Sequence, residues 1–237
     1  MSDQFLTAEW KNLIMANYIV DSKLLLPWLP YKTELDSFNG NTYVSLVGFM
    51  FSNTKLLGYT IPFHKNFEEV NLRFYVRYND NGNWKRGVVF IKEIVPKHAI
   101  TLVANTLYKE KYCTMPMRHS LIRSENEIQL RYEWKHNRQW DKIEAVTQNK
   151  SIPMLAGSEE EFIAEHYWGY SKYNNEKTYE YPVQHPSWET YPVKKYTIEC
   201  RFGELYGAEF KFLETARPNT VFVAKGSPIA VLHKKRL

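Results

Sequence analysis

The chain has 237 residues, of which 44% are hydrophobic, 24% are charged and 16% are aromatic, and its formal net charge is +5. Enough apolar side chains are present to offset the conformational entropy lost on folding, which excludes a disordered chain. The basic residues are interspersed with acidic ones instead of forming a stripe, so we predict no nucleic-acid partner.

The sequence contains no apolar run long enough to cross a bilayer, and its first four residues lack the basic and apolar segments of a secretory signal. We therefore expect a cytoplasmic location and no membrane partner. Cys113 and Cys200 are expected to remain free thiols, as in a reducing compartment. No repeat or linker divides the sequence, which predicts one domain over residues 1–237.

The first predicted elements are helices. Apolar side chains recur at near-helical spacing over residues 7–18, which predicts a helix with Thr7 as its N-cap. Asp21 would cap a second, short helix over residues 22–26, which Pro27 ends. From residue 43 onward the pattern becomes strand-like, and residues 43–51 are apolar on both faces, as in a strand covered on both sides.

A hairpin follows. Residues 70–78 and 84–95 flank residues 79–83, whose asparagine, aspartate and glycine are typical of a hairpin loop. A loop of five residues pairs Tyr78 with Trp84 and places Glu69 opposite Glu93. Two facing carboxyls would raise the pKa of one of them, which keeps an acid available near neutral pH. A shift of one residue in register would remove that pairing.

The remainder of the chain is predicted to contain two helices and several strands. Helical spacing predicts a helix over residues 100–107, and a capping box that begins at Ser158 predicts another over residues 159–167. Strands are predicted over residues 127–135, 142–148, 179–183, 196–202, 220–224 and 229–233. About eight strands and three or four peripheral helices indicate a mainly β fold (β-rich α+β). We expect its antiparallel sheet to curl into a barrel, because an open sheet this long leaves its edges exposed.

The segment from Glu69 to Arg77 alternates in polarity. One face carries Glu69, Asn71, Arg73, Tyr75 and Arg77, and the other carries Val70, Leu72, Phe74 and Val76. In a barrel, a polar face that points inward lines a ligand cavity. In an open sandwich the same face would be a solvated surface with ordinary ion pairs. The sequence has none of the motifs of nucleotide, redox-cofactor or metal sites, so we expect neither a cofactor nor a metal.

Six segments resemble the YqjF-like family of uncharacterised proteins: residues 67–77, 86–91, 107–112, 166–170, 183–188 and 224–227. That family is grouped by fold with acetoacetate decarboxylase. The resemblance therefore implies a cone-like barrel around a central cavity, covering nearly the whole chain.

The resemblance does not extend to the decarboxylase reaction. In the decarboxylase, a lysine forms a Schiff base with a β-keto acid, and a second lysine lowers its pKa so that the amine is neutral. Tyr112 and Cys113 stand here at the two lysine positions. Lys109 and Lys111 lie nearby, but Glu110 between them would stabilise the charged ammonium groups. A Schiff-base decarboxylase is therefore disfavoured.

The resemblance and the polar face together indicate a candidate site. Glu69, which matches a pocket glutamate of the decarboxylase, and Tyr112 are the candidate catalytic residues. The candidate substrate-binding residues are Arg73, Tyr108, Asn71, Glu93 and His166. Arginine presents a rigid fork suited to a carboxylate, so a small organic acid is the expected partner. For Tyr112 and His166 the alternative is an ordinary buried core side chain.

Three functions are consistent with these residues. The first is a lyase or hydrolase that acts on a keto acid or polyketide-like compound, with Glu69 as acid or base. The second is a non-catalytic binder that uses the same pocket. The third is an interaction protein that uses the exposed aromatic residues between positions 167 and 191 as a partner surface. A homo-oligomer is compatible with each of them.

Overall fold

The computed structural model describes residues 4–237; the first three residues, on which the expectation about a secretory signal partly rests, lie outside it. Within this part of the chain sixteen strands form: β1 (Gln4–Val20), β2 (Glu34–Leu35), β3 (Thr42–Leu56), β4 (Phe67–Asp80), β5 (Asn83–Val95), β6 (Tyr112–Thr114), β7 (Met117–Arg123), β8 (Glu127–His136), β9 (Gln139–Gln148), β10 (Ile152–Pro153), β11 (Trp168–Asn174), β12 (Lys177–Gln184), β13 (Glu189–Tyr191), β14 (Val193–Glu199), β15 (Thr220–Leu232) and β16 (Lys235–Arg236).

The helices are short. They are α1 (His98–Val103), which continues as a π-helical turn over Ala104–Tyr108, α2 (Glu159–Ala164), α3 (Phe202–Tyr206), and 3₁₀ turns at Ser22–Leu24, Leu26–Trp28 and Ala208–Glu214. The Asp21 side chain caps the first 3₁₀ turn, and the Ser158 hydroxyl caps α2, as the sequence predicts. None of the helices in the described residues has the length and apolar character needed to span a membrane.

Seven strands of the larger sheet form a closed ring. Their order is β15, β1, β3, β4, β5, β11 and β12, and β12 pairs back onto β15 through Val183 opposite Val231 and Gln184 opposite Ala230. All pairings in the ring are antiparallel except that between β5 and β11. The predicted β-rich fold with a curled, largely antiparallel sheet is confirmed.

The second sheet covers one outer side of the ring. It contains β14, β9, β8 and β7, all antiparallel. Its inner side chains, including Tyr132 and Ile143, pack with Leu46 of β3 and Leu72 of β4. At Gly48 the sheets approach so closely that a Cβ atom would lie 3.0 Å from both Tyr132 and Ile143. This packing explains why residues 43–51 are apolar on both faces: one side faces the second sheet and the other faces the interior of the ring.

The predicted helix over residues 7–18 is wrong. These residues belong to β1, which pairs with β3 on one side and β15 on the other. Ile14 and Ala16 pack toward the second sheet, whereas Leu13 and Met15 pack inside the ring. A strand buried on both faces is a continuous apolar run, and such a run satisfies helical spacing as easily as it satisfies a strand.

The predicted hairpin is confirmed, but its register is wrong. Asn81 and Gly82 form a two-residue turn with φ values of 53° and 92°, so Asp80 pairs with Asn83. A bulge then shifts the ladder between Leu72 and Arg73, which places Asn71 opposite Glu93. Glu69 and Glu93 are therefore not paired across the hairpin. Asn-Gly favours the positive φ values of a tight turn, and this preference shortens the loop.

Smaller corrections concern element ends. Helix α2 ends at Ala164, three residues before the predicted end. Strand β14 ends at Glu199, and the chain enters α3 at Phe202. The two predicted strands at 220–224 and 229–233 are a single strand, β15. At Gly226 this strand has φ of 80°, and a Cβ atom there would collide with the backbone oxygen of Trp10 in β1.

Candidate functional site

A cavity of about 320 Å³ lies inside the ring, and each of the seven ring strands contributes lining residues. The cavity brings together the seven side chains nominated from the sequence: Glu69, Asn71, Arg73, Glu93, Tyr108, Tyr112 and His166. They come from β4, β5, β6, the turn after α1 and the segment after α2. The geometry places them in one site, and the roles assigned to them remain predictions.

The polar floor of the cavity follows from strand pairing. Glu69, Asn71 and Arg73 alternate along β4 and share its inner face. Glu93 on β5 lies directly opposite Asn71, and Tyr112 on β6 pairs in parallel with Glu93. Directly paired residues project to the same side of a sheet, so the three strands present one continuous polar surface.

Glu69 is 2% exposed and accepts two hydrogen bonds. Asn71 Nδ2 donates to its Oε1 over 2.9 Å, and Tyr112 Oη donates to its Oε2 over 3.0 Å. Burial raises the pKa of Glu69 to about 7, and these hydrogen bonds together with the charge of Arg73 limit the rise. The carboxyl can therefore both release and accept a proton near neutral pH.

Two further carboxyls, Glu93 and Glu110, are buried in the same cavity. Burial and the nearby charges of Glu110 and Glu69 raise the pKa of Glu93 well above its ordinary value. Burial raises the pKa of Glu110 to about 8, although a hydrogen bond from Tyr181 Oη over 2.6 Å opposes this effect. Both carboxyls therefore keep their protons to higher pH than an exposed glutamate does, which limits the negative charge beside Arg73.

Glu110 is a site residue that the sequence argument did not identify. Its side chain lines the cavity, whereas those of the neighbouring Lys109 and Lys111 do not. The Lys111 ammonium lies 4.1 Å from the centre of the Trp28 ring, and the Lys109 ammonium lies 6.0 Å from that of Tyr173. Among the described residues that line the cavity, none is a lysine.

His166 is held by Asp36, another residue that the sequence did not indicate. His166 Nε2 lies 3.2 Å from Asp36 Oδ2, which also accepts from Arg86 Nε over 2.7 Å. Burial favours the neutral acid, but the hydrogen bonds from His166 and Arg86 hold the pKa of Asp36 at about 2. Burial lowers the pKa of His166 to about 4, so the ring is neutral at pH 7. Asp36 then accepts the Nε2 proton, which leaves a lone pair on Nδ1.

Arg73 is 7% exposed, yet its guanidinium forms no ion pair or hydrogen bond within residues 4–237. Its charge lowers the pKa of Glu69, and the guanidinium lies 5.7 Å from the centre of the Tyr75 ring. Five other buried polar atoms of cavity-lining residues lack hydrogen-bond partners in the described chain: Trp10 Nε1, Thr54 Oγ1, Asn71 Oδ1, Glu93 Oε2 and His166 Nδ1. Buried polar atoms are normally paired, so this concentration of unpaired atoms in one cavity indicates a ligand site.

Only three of the five alternating side chains from Glu69 to Arg77 line the cavity. Tyr75 lies below the cavity, against His166 and Phe162, and its hydroxyl is 2.6 Å from Ser45 Oγ. Arg77 lies outside: its Nε donates to Glu34 over 2.6 Å, and its guanidinium stacks on the Trp84 ring at 4.4 Å. The expectation that both residues point into the hollow is therefore wrong.

A cluster of aromatic rings forms another wall. The Trp10 ring contacts Phe49, Phe51, His185 and Trp188 at centroid distances between 5.5 and 6.2 Å. His185 stacks on Trp188 at 4.4 Å, and Trp188 Nε1 donates to Ser227 Oγ over 2.9 Å. His185 lines the cavity, as does Trp10, which the sequence pattern assigns to a helix.

Residues 7–228 match the family DUF2071, described as an uncharacterized conserved protein. The chain belongs to this family. It is 27% identical over 183 residues to the uncharacterized protein YqjF of Bacillus subtilis (strain 168), a match that covers 75% of this chain and 72% of that protein. The predicted YqjF-like family is thus confirmed.

Several solved structures share the fold of this DUF2071 protein. Acetoacetate decarboxylase from Legionella pneumophila subsp. pneumophila str. Philadelphia 1 is similar over 98% of this chain and 86% of its own, with a TM-score of 0.65 and 14% identity. An acetoacetate decarboxylase-like enzyme from Sphingomonas wittichii RW1 covers all of this chain with 94% of its own, at a TM-score of 0.67 and 10% identity. The enduracididine biosynthesis enzyme MppR, complexed with pyruvate, is similar over 98% of this chain and 90% of its own, with a TM-score of 0.64 and 11% identity. These similarities establish the fold.

Proposed function

We propose that this DUF2071 protein binds a small organic acid in the cavity and that Arg73 contacts its carboxylate. The observation that carries the proposal is the buried Arg73 guanidinium without a hydrogen-bond or ion-pair partner in the described chain. A buried charge without a close partner is costly, and a bound carboxylate supplies a bidentate partner. The pyruvate complex of MppR supports this ligand class, since that enzyme shares the fold.

The protonation of the cavity favours the same ligand class. Burial favours the protonated forms of Glu93 and Glu110, and a protonated carboxyl can donate a hydrogen bond to an anion next to Arg73 instead of repelling it. The unpaired Glu93 Oε2 is one such group. An anionic ligand therefore gains a charge partner and a hydrogen-bond donor at one place.

We further propose that Glu69, held in position by Tyr112, exchanges a proton with a keto acid bound in this way. Glu69 as carboxylate removes a proton from the carbon next to the ketone, and the neutral acid Glu93 donates a proton to the developing enolate oxygen. A pKa of about 7 suits Glu69 to this task, because a general base acts best near the operating pH. Tyr112 holds the Glu69 carboxylate in position. The lack of lysine among the described lining residues speaks against a Schiff-base route.

Binding is tested by calorimetry and thermal unfolding with propionate, pyruvate, 2-ketobutyrate and acetoacetate. Arg73→Gln should weaken binding by roughly tenfold or more, since a hydrogen bond to a charged group contributes ~1.5–3 kcal/mol. Arg77→Gln is the matched control, because Arg77 lies on the same strand outside the cavity. An unchanged melting temperature across the panel overturns the proposal and favours an interaction protein, since a ligand bound only by the folded state must raise it.

Turnover is tested by proton exchange. In D₂O the wild type should exchange the C3 protons of 2-ketobutyrate faster than buffer, as followed by loss of their NMR signal. Glu69→Gln should lose this exchange and keep binding. Arg73-dependent binding without exchange would identify a non-catalytic binder that uses the same pocket.

A further inference from the structure

The cavity is divided into two parts of different chemistry. Its polar floor is formed by Glu69, Arg73, Glu93, Glu110 and their partners. The rest of its surface is apolar and comes largely from β1, β3 and α1. This apolar surface includes Phe5, Trp10, Phe51, Ile100, Val103 and Trp188. A two- to four-carbon acid on Arg73 would leave this second part unused.

The size of the cavity agrees with this division. At about 320 Å³ it falls at the lower end of the ~300–1,000 Å³ range of pockets that enclose drug-sized ligands. An empty apolar volume of that kind forfeits dispersion contacts on all of its walls. A ligand that fills it must therefore carry an apolar body in addition to its acid group.

The apolar wall is built for a flat ring. Phe51 stacks on Phe67 at 4.7 Å, and Trp10 meets Phe51 edge-on at 6.0 Å and 89°. Aromatic groups pair in these offset and edge-to-face arrangements and gain energy beyond their buried area. Trp10 Nε1 is buried and has no partner within the described chain. An aromatic ring is the apolar group whose face can accept a hydrogen bond from this N–H.

The roof is the helical segment that starts at His98. Ala99, Ile100, Val103 and Ala104 turn toward the cavity, whereas Thr106 is exposed and is not among the lining residues. The small side chains of Ala99 and Ala104 leave room between the roof and the aromatic wall. A π-helical turn continues this helix at Ala104, and such turns are frequent at functional sites.

We infer that the ligand is an amphipathic aromatic acid, with its carboxylate on Arg73 and its aryl group between the Trp10 wall and the α1 roof. This inference rests on the proposed function, because it uses the same anion position, and it adds a second subsite that sets specificity. Three matched ligands isolate that subsite. Propionate and 3-phenylpropionate share the acid group, and 3-cyclohexylpropionate matches the latter in size without aromaticity.

Calorimetry on the wild type should show that 3-phenylpropionate binds at least tenfold more tightly than propionate and severalfold more tightly than 3-cyclohexylpropionate. Equal affinities for propionate and 3-phenylpropionate, both lowered in Arg73→Gln, would overturn the aryl subsite and leave the proposed function intact. Equal or tighter binding of the cyclohexyl acid would overturn the aromatic preference. No binding of any acid, or binding unaffected by Arg73→Gln, would overturn the proposed function itself.

Variants of the roof locate the subsite. Ala104→Phe should remove the advantage of 3-phenylpropionate and leave propionate affinity unchanged, whereas Thr106→Phe on the same helical segment should change neither. An unaltered advantage in Ala104→Phe would contradict the placement of the aryl group. If Ala104→Phe lowers the melting temperature of the free protein, Ala99→Leu provides the same test with a smaller side chain.

Discussion

The Tyr112 hydroxyl donates a hydrogen bond to Glu69 Oε2 over 3.0 Å, although the two residues are separated by 43 positions. Glu69 lies on β4 and Tyr112 on β6, and β5 runs between these strands. The hydrogen bond thus spans the width of the polar floor. It opposes burial and stabilises the ionised form of Glu69, so it is one determinant of where this carboxyl titrates.

Tyr112→Phe should raise the pKa of Glu69 above its wild-type value of about 7, because burial remains and one stabilising hydrogen bond is lost. The measurement is an NMR titration of the glutamate side-chain carboxyl carbons. Tyr108→Phe is the control, since the Tyr108 hydroxyl contacts the backbone oxygen of Leu232 instead. An unchanged or lowered pKa in Tyr112→Phe would contradict this assignment.

Glu110→Gln should stabilise the protein at pH 8 and leave stability nearly unchanged at pH 4. In the unfolded chain the carboxyl ionises as pH rises through its ordinary value of 4.5, whereas the folded state keeps the proton until about pH 8. Over this window the wild type progressively loses stability, and glutamine, which never ionises, does not. Glutamine Oε1 can still accept the Tyr181 hydrogen bond.

Thermal unfolding at several pH values measures this effect. The melting temperature of Glu110→Gln should exceed that of the wild type by about 3 °C or more at pH 8, given roughly 2–4 °C per kcal/mol for a chain of this size. Glu125→Gln replaces an exposed carboxyl and should show no such pH-dependent difference. A gain of equal size at pH 4 and pH 8 would argue against a buried neutral acid at this position.

Acid binding should weaken as pH rises from 6 to 9. Glu69 and Glu110 ionise in this range, with pKa values of about 7 and about 8, and each adds negative charge near the anion held by Arg73. We expect propionate affinity to fall about tenfold, which corresponds to ~1.4 kcal/mol. Calorimetry at each pH provides the measurement, and the loss should be smaller in Glu110→Gln. Propionamide, which carries no charge, should not lose affinity in this way, and a flat profile for propionate would refute the electrostatic account.

How far the sequence predicts this site depends on strand geometry. Glu69, Asn71 and Arg73 could be placed together because side chains alternate along a strand and a barrel turns one face inward. Glu93 could be placed on the same face through the hairpin, even with the wrong partner, because a shift by two positions keeps the face. Local rules of this kind therefore recover most of the floor.

The remaining site residues could not be obtained by such rules. The sequence pattern does not place Trp10 in the cavity, because β1 is buried on both faces and its continuous apolar run also fits helical spacing. Asp36 reaches His166 only through tertiary packing across 130 positions. Lys109 has a left-handed φ of 57° at the end of the helical segment, and the chain turns there so that Glu110 enters the cavity. Neither that turn nor the closure of the ring is visible in a periodic pattern.

Gly169→Ala should destabilise the protein because β11 and Tyr181 on β12 are in close contact at this position. A Cβ atom on Gly169 would collide with the Tyr181 ring, whose hydroxyl holds Glu110. Overpacking of this kind typically lowers the free energy of unfolding by ~1–3 kcal/mol.

A denaturant titration of the wild type, Gly169→Ala, Tyr181→Leu and the double variant measures this loss. If the collision is the cause, Gly169→Ala lowers the free energy of unfolding less in the Tyr181→Leu background than in the wild type, since the two sites are coupled through one contact. The same cost in both backgrounds would show that the strand itself, and not its packing against Tyr181, requires glycine at this position.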